Sequence, residues 1–88
     1  MNKKELYDEL EKLGLRIVWG MDLKRASIGN PDFANPIIWF DAYLEADKYM
    51  GTINIKAINA TLFTERQIKE SLRLVNEFLM TPLKERGL

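Results

Sequence analysis

The chain has 88 residues, of which 47% are hydrophobic and 30% charged, and its 13 basic and 13 acidic side chains cancel. This length and composition predict one globular domain over residues 1–88, and the zero net charge provides no overall field to attract nucleic acid or an anionic membrane. The sequence contains no cysteine and no histidine, which excludes disulfides and thiolate chemistry and removes the commonest metal ligand and neutral-pH base.

The first segment has the pattern of an amphipathic helix over residues 3–13. One apolar stripe is formed by Leu6, Leu10 and Leu13. Asn2 can cap the first free amides while Glu5 reaches back, and Gly14 supplies the left-handed residue that commonly ends a helix. We therefore expect a helix with both of its ends marked in the sequence.

After Gly14 the apolar period changes from that of a helix to that of a strand. Ile17 and Trp19 alternate with Arg16 and Val18, and the alternation continues to residue 23. The pattern predicts a half-buried strand over residues 15–23.

Residues 24–36 form the next segment, which carries several turn signals. These are Gly29, Asn30-Pro31 and Asn35-Pro36. We expect the longest irregular stretch of the chain here, because such residues favour turns over strands. Lys24 and Arg25 are candidate contacts on this loop, since binding residues often lie on loops.

Two further stretches, residues 37–45 and 52–59, alternate like strands. In the first, one face would carry Ile38, Phe40, Ala42 and Leu44. The connection that ends in Gly51 predicts an antiparallel hairpin between the two stretches.

The last predicted element is a helix over residues 65–80. Its apolar stripe consists of Ile68, Leu72, Val75 and Leu79, widened by Leu74 and Phe78. Thr64 and Gln67 have the spacing of a capping box, and Pro82 blocks continuation.

The order helix, three strands, helix predicts a two-layer α+β domain. We expect a three-stranded antiparallel meander with both helices packed on one face. The covered face should hold Ile17, Trp19, Ile38, Phe40, Leu44, Ile53 and Ile55 against the apolar stripes of the two helices.

The other face of the predicted sheet is the candidate interaction surface. Its residues are Arg16, Val18, Ile37, Trp39, Asp41, Tyr43, Glu45 and Lys56. Trp39 and Tyr43 would anchor a protein partner or a second copy of the chain, because interfaces concentrate these residue types. Arg16 and Lys56 opposite Asp41 and Glu45 would set the register. In the alternative, Trp39 and Tyr43 lie under the C-terminal tail or the long loop and complete the core.

Catalysis has little support in the sequence. Asp41 and Glu45 would lie about 13 Å apart along one strand, whereas paired glycosidase carboxylates lie about 5–9.5 Å apart. Acid-base work at neutral pH without histidine or cysteine also needs a buried, retuned group. We therefore expect a non-enzymatic protein with no cofactor, no metal and no small-molecule substrate.

The predicted topology resembles that of the double-stranded-RNA-binding domain. That family contacts phosphates through a basic start of its second helix. Here the corresponding segment begins Thr64-Glu65-Arg66, which is neutral, so the resemblance implies topology alone. A nucleic-acid binder that uses Lys24, Arg25 and the aromatic sheet face remains an alternative.

The C-terminal third resembles the closing segments of short accessory proteins of phages and prophages of Gram-positive bacteria. The similar stretches are Phe63-Thr64-Glu65-Arg66-Gln67-Ile68-Lys69, Leu74-Val75-Asn76-Glu77-Phe78-Leu79 and Thr81-Pro82-Leu83-Lys84-Glu85-Arg86. The resemblance implies an intracellular protein of mostly unassigned function, in a group that includes inhibitors of host proteins, and it supplies no site residues. A cytoplasmic location is also expected because no apolar run reaches the ~18 residues of a membrane span.

Overall fold

The structure is a computed structural model that describes residues 1–20, 25–31, 36–43, 54–55 and 57–88. Its elements are α1 (Lys3–Lys12), β1 (Arg16–Trp19), β2 (Arg25–Gly29), β3 (Ile38–Asp41), β4 (Asn54–Ile55), a 3-10 helix (Ala57–Leu62), α2 (Glu65–Met80) and a second 3-10 helix (Leu83–Glu85). The predicted α+β class, with two helices and an antiparallel sheet, is confirmed.

Both helices begin at the capping boxes that the sequence predicts. The Asn2 side chain accepts a 2.9 Å hydrogen bond from the Glu5 amide, and Thr64 and Gln67 form the equivalent box of α2. Gly14 follows α1 with φ of 76°, a left-handed conformation that side chains with a Cβ rarely adopt. Neither helix of the described residues combines the length and the apolar character needed to cross a bilayer.

The sheet has the order β1-β2-β3-β4, and all neighbouring strands are antiparallel. The register places Ile17, Ile28 and Ile38 side by side in one row. The next row on the same face consists of Trp19, Ala26 and Phe40. Residues that pair directly across a sheet point to the same side, so both rows lie on one face. This face packs against the helices in the hydrophobic core.

The second strand, β2, lies where the sequence predicted an irregular segment, and that prediction was wrong for residues 25–29. Ala26 and Ile28 are fully buried, and they alternate with the exposed Arg25 and the half-buried Ser27. The signals at Gly29 and Pro31 therefore end a strand and do not replace one. The alternation of apolar and polar residues at 25–28 indicates this strand, but the turn residues that follow it led to the prediction of a loop.

The other predicted strands are shorter than expected. The strand predicted over residues 37–45 ends at Asp41, and Tyr43 already belongs to a turn. Of the strand predicted over residues 52–59, Asn54–Ile55 is described as strand, and its extension to Asn59 was wrong because a 3-10 helix begins at Ala57. Residues 21–24 and 44–53, which include Leu44 and Ile53 of the predicted core, lie outside the described residues, as does the Ile55 side chain.

The core centres on Phe78 of α2. Its ring centroid lies 6.2 Å from that of Trp19 and 6.2 Å from that of Phe40, the latter pair with rings inclined at 70°. Edge-to-face contacts of this kind add to the apolar area that such rings bury. Leu6 and Leu10 of α1 are also fully buried, so both helices cover the same face of the sheet.

The C-terminal tail is fixed by a buried arginine. The Arg86 guanidinium donates hydrogen bonds to the main-chain oxygens of Ala42, Leu79 and Thr81 at 2.7–2.8 Å, and its side chain is almost inaccessible. The Arg86 carbonyl in turn accepts a 2.6 Å hydrogen bond from the Lys3 amide. These contacts join the tail to the helix side of the sheet and to the start of α1.

Candidate functional site

The side of the sheet opposite the two helices is called the reverse face. In the described strands its side chains are Arg16, Val18, Arg25, Ser27, Trp39 and Asp41. Val18, Ser27 and Trp39 are direct neighbours across β1, β2 and β3, so they form one row. Of the predicted surface, Val18, Trp39, Arg16 and Asp41 therefore do share one face.

Trp39 on the reverse face is half-buried, and part of its cover comes from Arg25. The guanidinium carbon of Arg25 lies 4.7 Å from the Trp39 ring centroid. Arg25 pairs with Asp41 in the register, so it is the diagonal neighbour of Trp39. A cation over an indole face at this distance is attracted to the ring, which holds both side chains along the sheet.

Val18 is the most open apolar side chain among the described residues of the reverse face, with 43% of its surface exposed. It lies on the edge strand β1, beside the half-buried Ser27 and two strands from Trp39. The row thus has an open aliphatic end and an aromatic end that is partly covered by a cation.

The charges of the reverse face differ in arrangement from the prediction. Arg16 pairs with Gly29, not with Asp41, because β2 lies between β1 and β3. Arg25 takes the position opposite Asp41 instead. The difference arises because β2, which was predicted to be an irregular segment, lies between β1 and β3.

Ile37 was predicted on the interaction surface, and this prediction was wrong. Its side chain is fully buried, and its amide donates a 2.8 Å hydrogen bond to the Ile28 carbonyl. The residue lies in a bend just before β3, so it departs from the alternation of the strand and joins the core.

Tyr43 lies beyond the end of β3 and is half-buried. Its amide donates a 2.8 Å hydrogen bond to Asp41 Oδ1, which closes a turn at the end of the strand. The remaining predicted contacts, Lys24, Glu45 and Lys56, lie outside the described residues. The tail contacts described above lie on the helix side and not over Trp39.

A second surface lies between α1 and the open edge of β1, and we call it the edge groove. Its volume is about 720 Å³, and its wall includes Lys3, Tyr7, Ile17 and Trp19. Tyr7 is 40% exposed, and Lys3 Nζ lies 4.9 Å from the Trp19 ring centroid. Sequence reasoning missed this surface because it is formed by two elements whose packing the alternation alone does not specify.

The described residues show no grouping of three or more acidic side chains that could hold a metal ion. Arg73 lies on the outer side of α2 and has a raised pKa. A hydrogen bond from its Nε to Glu70, aided by the charges of Glu70 and Glu77, raises the pKa of Arg73. This arrangement stabilises a helix surface and presents no reactive group.

Comparison with known proteins gives no match: no protein-family model, no curated protein and no solved structure corresponds to this chain.

Proposed function

We propose that the chain is a non-enzymatic protein interaction module that binds a second copy of itself through the reverse face. The observation that carries the proposal is the row formed by Val18 and Trp39, which lies on the side of the sheet that neither helix covers. Apolar and aromatic side chains on an open sheet face favour contact with another protein surface.

The charges around this row favour a second copy as the partner. Arg16 and Arg25 lie on the same face as Asp41. A two-fold axis places the same patch of both copies face to face, so a patch with charges of both signs can pair its cations with the anion of its mate. Such pairs set the orientation of a complex more than they add to its affinity.

The expected dimer is weak and dependent on concentration. Trp39 is partly covered by Arg25, and Val18 is the one large apolar side chain on the described reverse face that is exposed. Stable interfaces bury about 800 Å² per partner around a well-packed apolar centre. The described face offers a smaller apolar centre, so association should be visible mainly at high protein concentration.

Replacing Trp39 by alanine tests this proposal. We expect Trp39→Ala to abolish the increase in molecular mass that light scattering measures as the wild-type protein is concentrated. The matched control is Tyr7→Ala, which removes a partly exposed aromatic side chain on the helix side and should leave the mass increase unchanged. If Trp39→Ala only lowers the melting temperature, Trp39 is a core residue and the proposal fails.

Nucleic-acid binding is the second candidate, and it rests on Arg16 and Arg25 beside an aromatic ring. The contact between Arg25 and Trp39 weighs against it, because the guanidinium occupies a ring face on which a base would stack. Steeply salt-dependent binding of a single-stranded oligonucleotide would favour this candidate. Absence of binding at low salt would remove it.

The resemblance of the C-terminal third to phage and prophage accessory proteins stays a prediction. It would make the interaction module an inhibitor of a host protein in the cytoplasm. In that case the reverse face would bind the host protein, and the wild-type chain alone would stay monomeric in the light-scattering experiment.

A further inference from the structure

The edge groove lies beside a strand whose outer side is open. Among the described strands, β1 is the first in the sheet order and pairs with β2 alone. The Gly20 amide donates a 2.7 Å hydrogen bond to the Arg25 carbonyl. These two residues lie directly beyond the last pair of the register, Trp19 and Ala26, and continue it by one position. Because such pairs alternate in antiparallel sheets, Arg16 and Val18 also direct their main-chain polar groups toward β2.

Ile17 and Trp19 therefore direct their amides and carbonyls away from the sheet. Within the described part of the chain no main-chain group pairs with them on that side. Their side chains point toward α1 and line the edge groove. The same two residues thus offer main-chain hydrogen bonds to an added strand and an apolar wall to its side chains.

The ionisable side chains that line the edge groove are Lys3, Lys4, Tyr7 and Asp8, so its wall has two cations and one anion. Lys3 stacks on Trp19, and it forms no salt bridge among the described residues, whereas Lys4 is paired with Asp8 at 3.1 Å. Arg16 is exposed at the start of the same strand. An acidic side chain of an incoming segment could therefore form an ion pair with the Lys3 ammonium, which stacks on the Trp19 ring.

We propose that β1 and the edge groove bind an extended, acidic peptide segment of another protein by strand addition. Its main chain would pair with Ile17 and Trp19. Side chains at alternate positions would face the groove, with an apolar one against Tyr7 and Trp19 and a carboxylate against Lys3. A second copy fits this edge less well. Symmetric pairing of two β1 strands would place Lys3 and Arg16 of both copies at the same interface, where these like charges repel.

The test uses two blocked, fluorescein-labelled octapeptides and measures fluorescence anisotropy at low salt. The acidic probe is Asp-Thr-Phe-Thr-Asp-Thr-Phe-Thr, and the basic probe has lysine in place of each aspartate. We expect the acidic probe to bind and Lys3→Glu to weaken it about tenfold, since the variant converts a favourable ion pair into a repulsive one. The basic probe should gain affinity for the same variant.

The matched control is Lys12→Glu, which makes the same charge change at the far end of α1, where Lys12 pairs with Glu9. It should leave the binding of both probes unchanged. Hydrogen exchange supplies a second readout: the acidic probe should slow exchange of the Ile17 and Trp19 amides, which a mere electrostatic attachment to α1 would not do.

Three results would overturn the strand-addition site. These are no binding of the acidic probe, equal binding of both probes to the wild-type protein, and unchanged exchange of the two edge amides. If Lys3→Glu strengthens dimerisation of the chain, the occupant of the edge groove is a second copy. This result would also reject the proposed acidic peptide. Val18→Lys, on the reverse face, should leave probe binding intact, so failure here is distinguishable from failure of the proposed dimer.

Discussion

Arg86 is joined to Ala42, 44 residues earlier in the chain, by a 2.8 Å hydrogen bond from its Nη1 to the main-chain oxygen. Two more guanidinium hydrogen bonds reach Thr81 and Leu79 at the end of α2, and the group lies 5.7 Å from the Phe78 ring centroid. One buried side chain therefore connects the tail, the last turn of α2 and the end of β3.

We expect Arg86→Ala to lower the free energy of unfolding by about 2–4 kcal/mol, because it leaves buried carbonyl oxygens without donors and opens a cavity beside Phe78. Arg86→Lys should recover less than half of this loss, since an ammonium cannot match the planar guanidinium fork. Urea unfolding measures both variants. Lys84→Ala in the same tail is the control, and equal stability of Arg86→Ala and Lys84→Ala would contradict this role.

Gln67 connects the start of α2 to the end of α1. Its Oε1 accepts a 2.9 Å hydrogen bond from the Thr64 amide, and its Nε2 donates one of 2.9 Å to the Leu13 carbonyl. We expect Gln67→Ala to cost about 1.5–3 kcal/mol in thermal unfolding, and Thr64→Ala, which removes only a cap, about 1 kcal/mol. Equal losses would mean that the contact with Leu13 contributes nothing.

The two helices illustrate what the sequence could predict. Local signals determine them: an apolar stripe, a capping box of two residues three positions apart, and Gly14 or Pro82 after the end. Each of these interactions lies within a few residues, so periodicity and capping residues sufficed. The faces of β1 and the buried side of β3 followed in the same way from alternation at Ile17, Ile38 and Phe40.

The missed features depend on distant partners. β2 was missed because Gly29 and Pro31 are local turn signals, whereas the burial of Ala26 and Ile28 depends on pairing with β1 and β3. Without β2, the neighbours of Arg16 and Asp41 were also assigned wrongly. The buried role of Arg86 could not be predicted, because no local sequence pattern marks this arginine as buried. Its hydrogen-bond partner Ala42 is also remote in the sequence.

The contact between Arg25 and Trp39 predicts an optical change. In a Trp19→Phe background, which leaves Trp39 as the sole tryptophan, we expect Arg25→Ala to increase quenching of its fluorescence by acrylamide. The cause is the loss of the guanidinium that covers one ring face. The change should cost about 0.5–1 kcal/mol of stability. Arg16→Ala, on the same face but opposite Gly29, is the control, and equal quenching in the two variants would argue against the stacked pair.

A charge exchange tests the arrangement of the proposed dimer. Asp41→Arg leaves the described reverse face with cations alone, and Arg25→Asp adds a second anion beside Asp41. Each variant should associate with itself more weakly than the wild-type protein, and a mixture of the two should form a mixed dimer that native mass spectrometry detects. A mixture that behaves as the sum of its separate components would show that these charges do not meet across an interface.

The most direct test of the proposed module is sedimentation velocity of the wild-type protein and Val18→Lys over a wide concentration range. Val18 is already exposed, so a lysine there should preserve the fold, while Thr61→Lys, at another exposed position, controls for the added charge. We predict that the sedimentation coefficient rises with concentration for the wild-type protein and Thr61→Lys and stays at the monomer value for Val18→Lys. Identical, concentration-independent monomer values for all three proteins would contradict association of two copies through the reverse face.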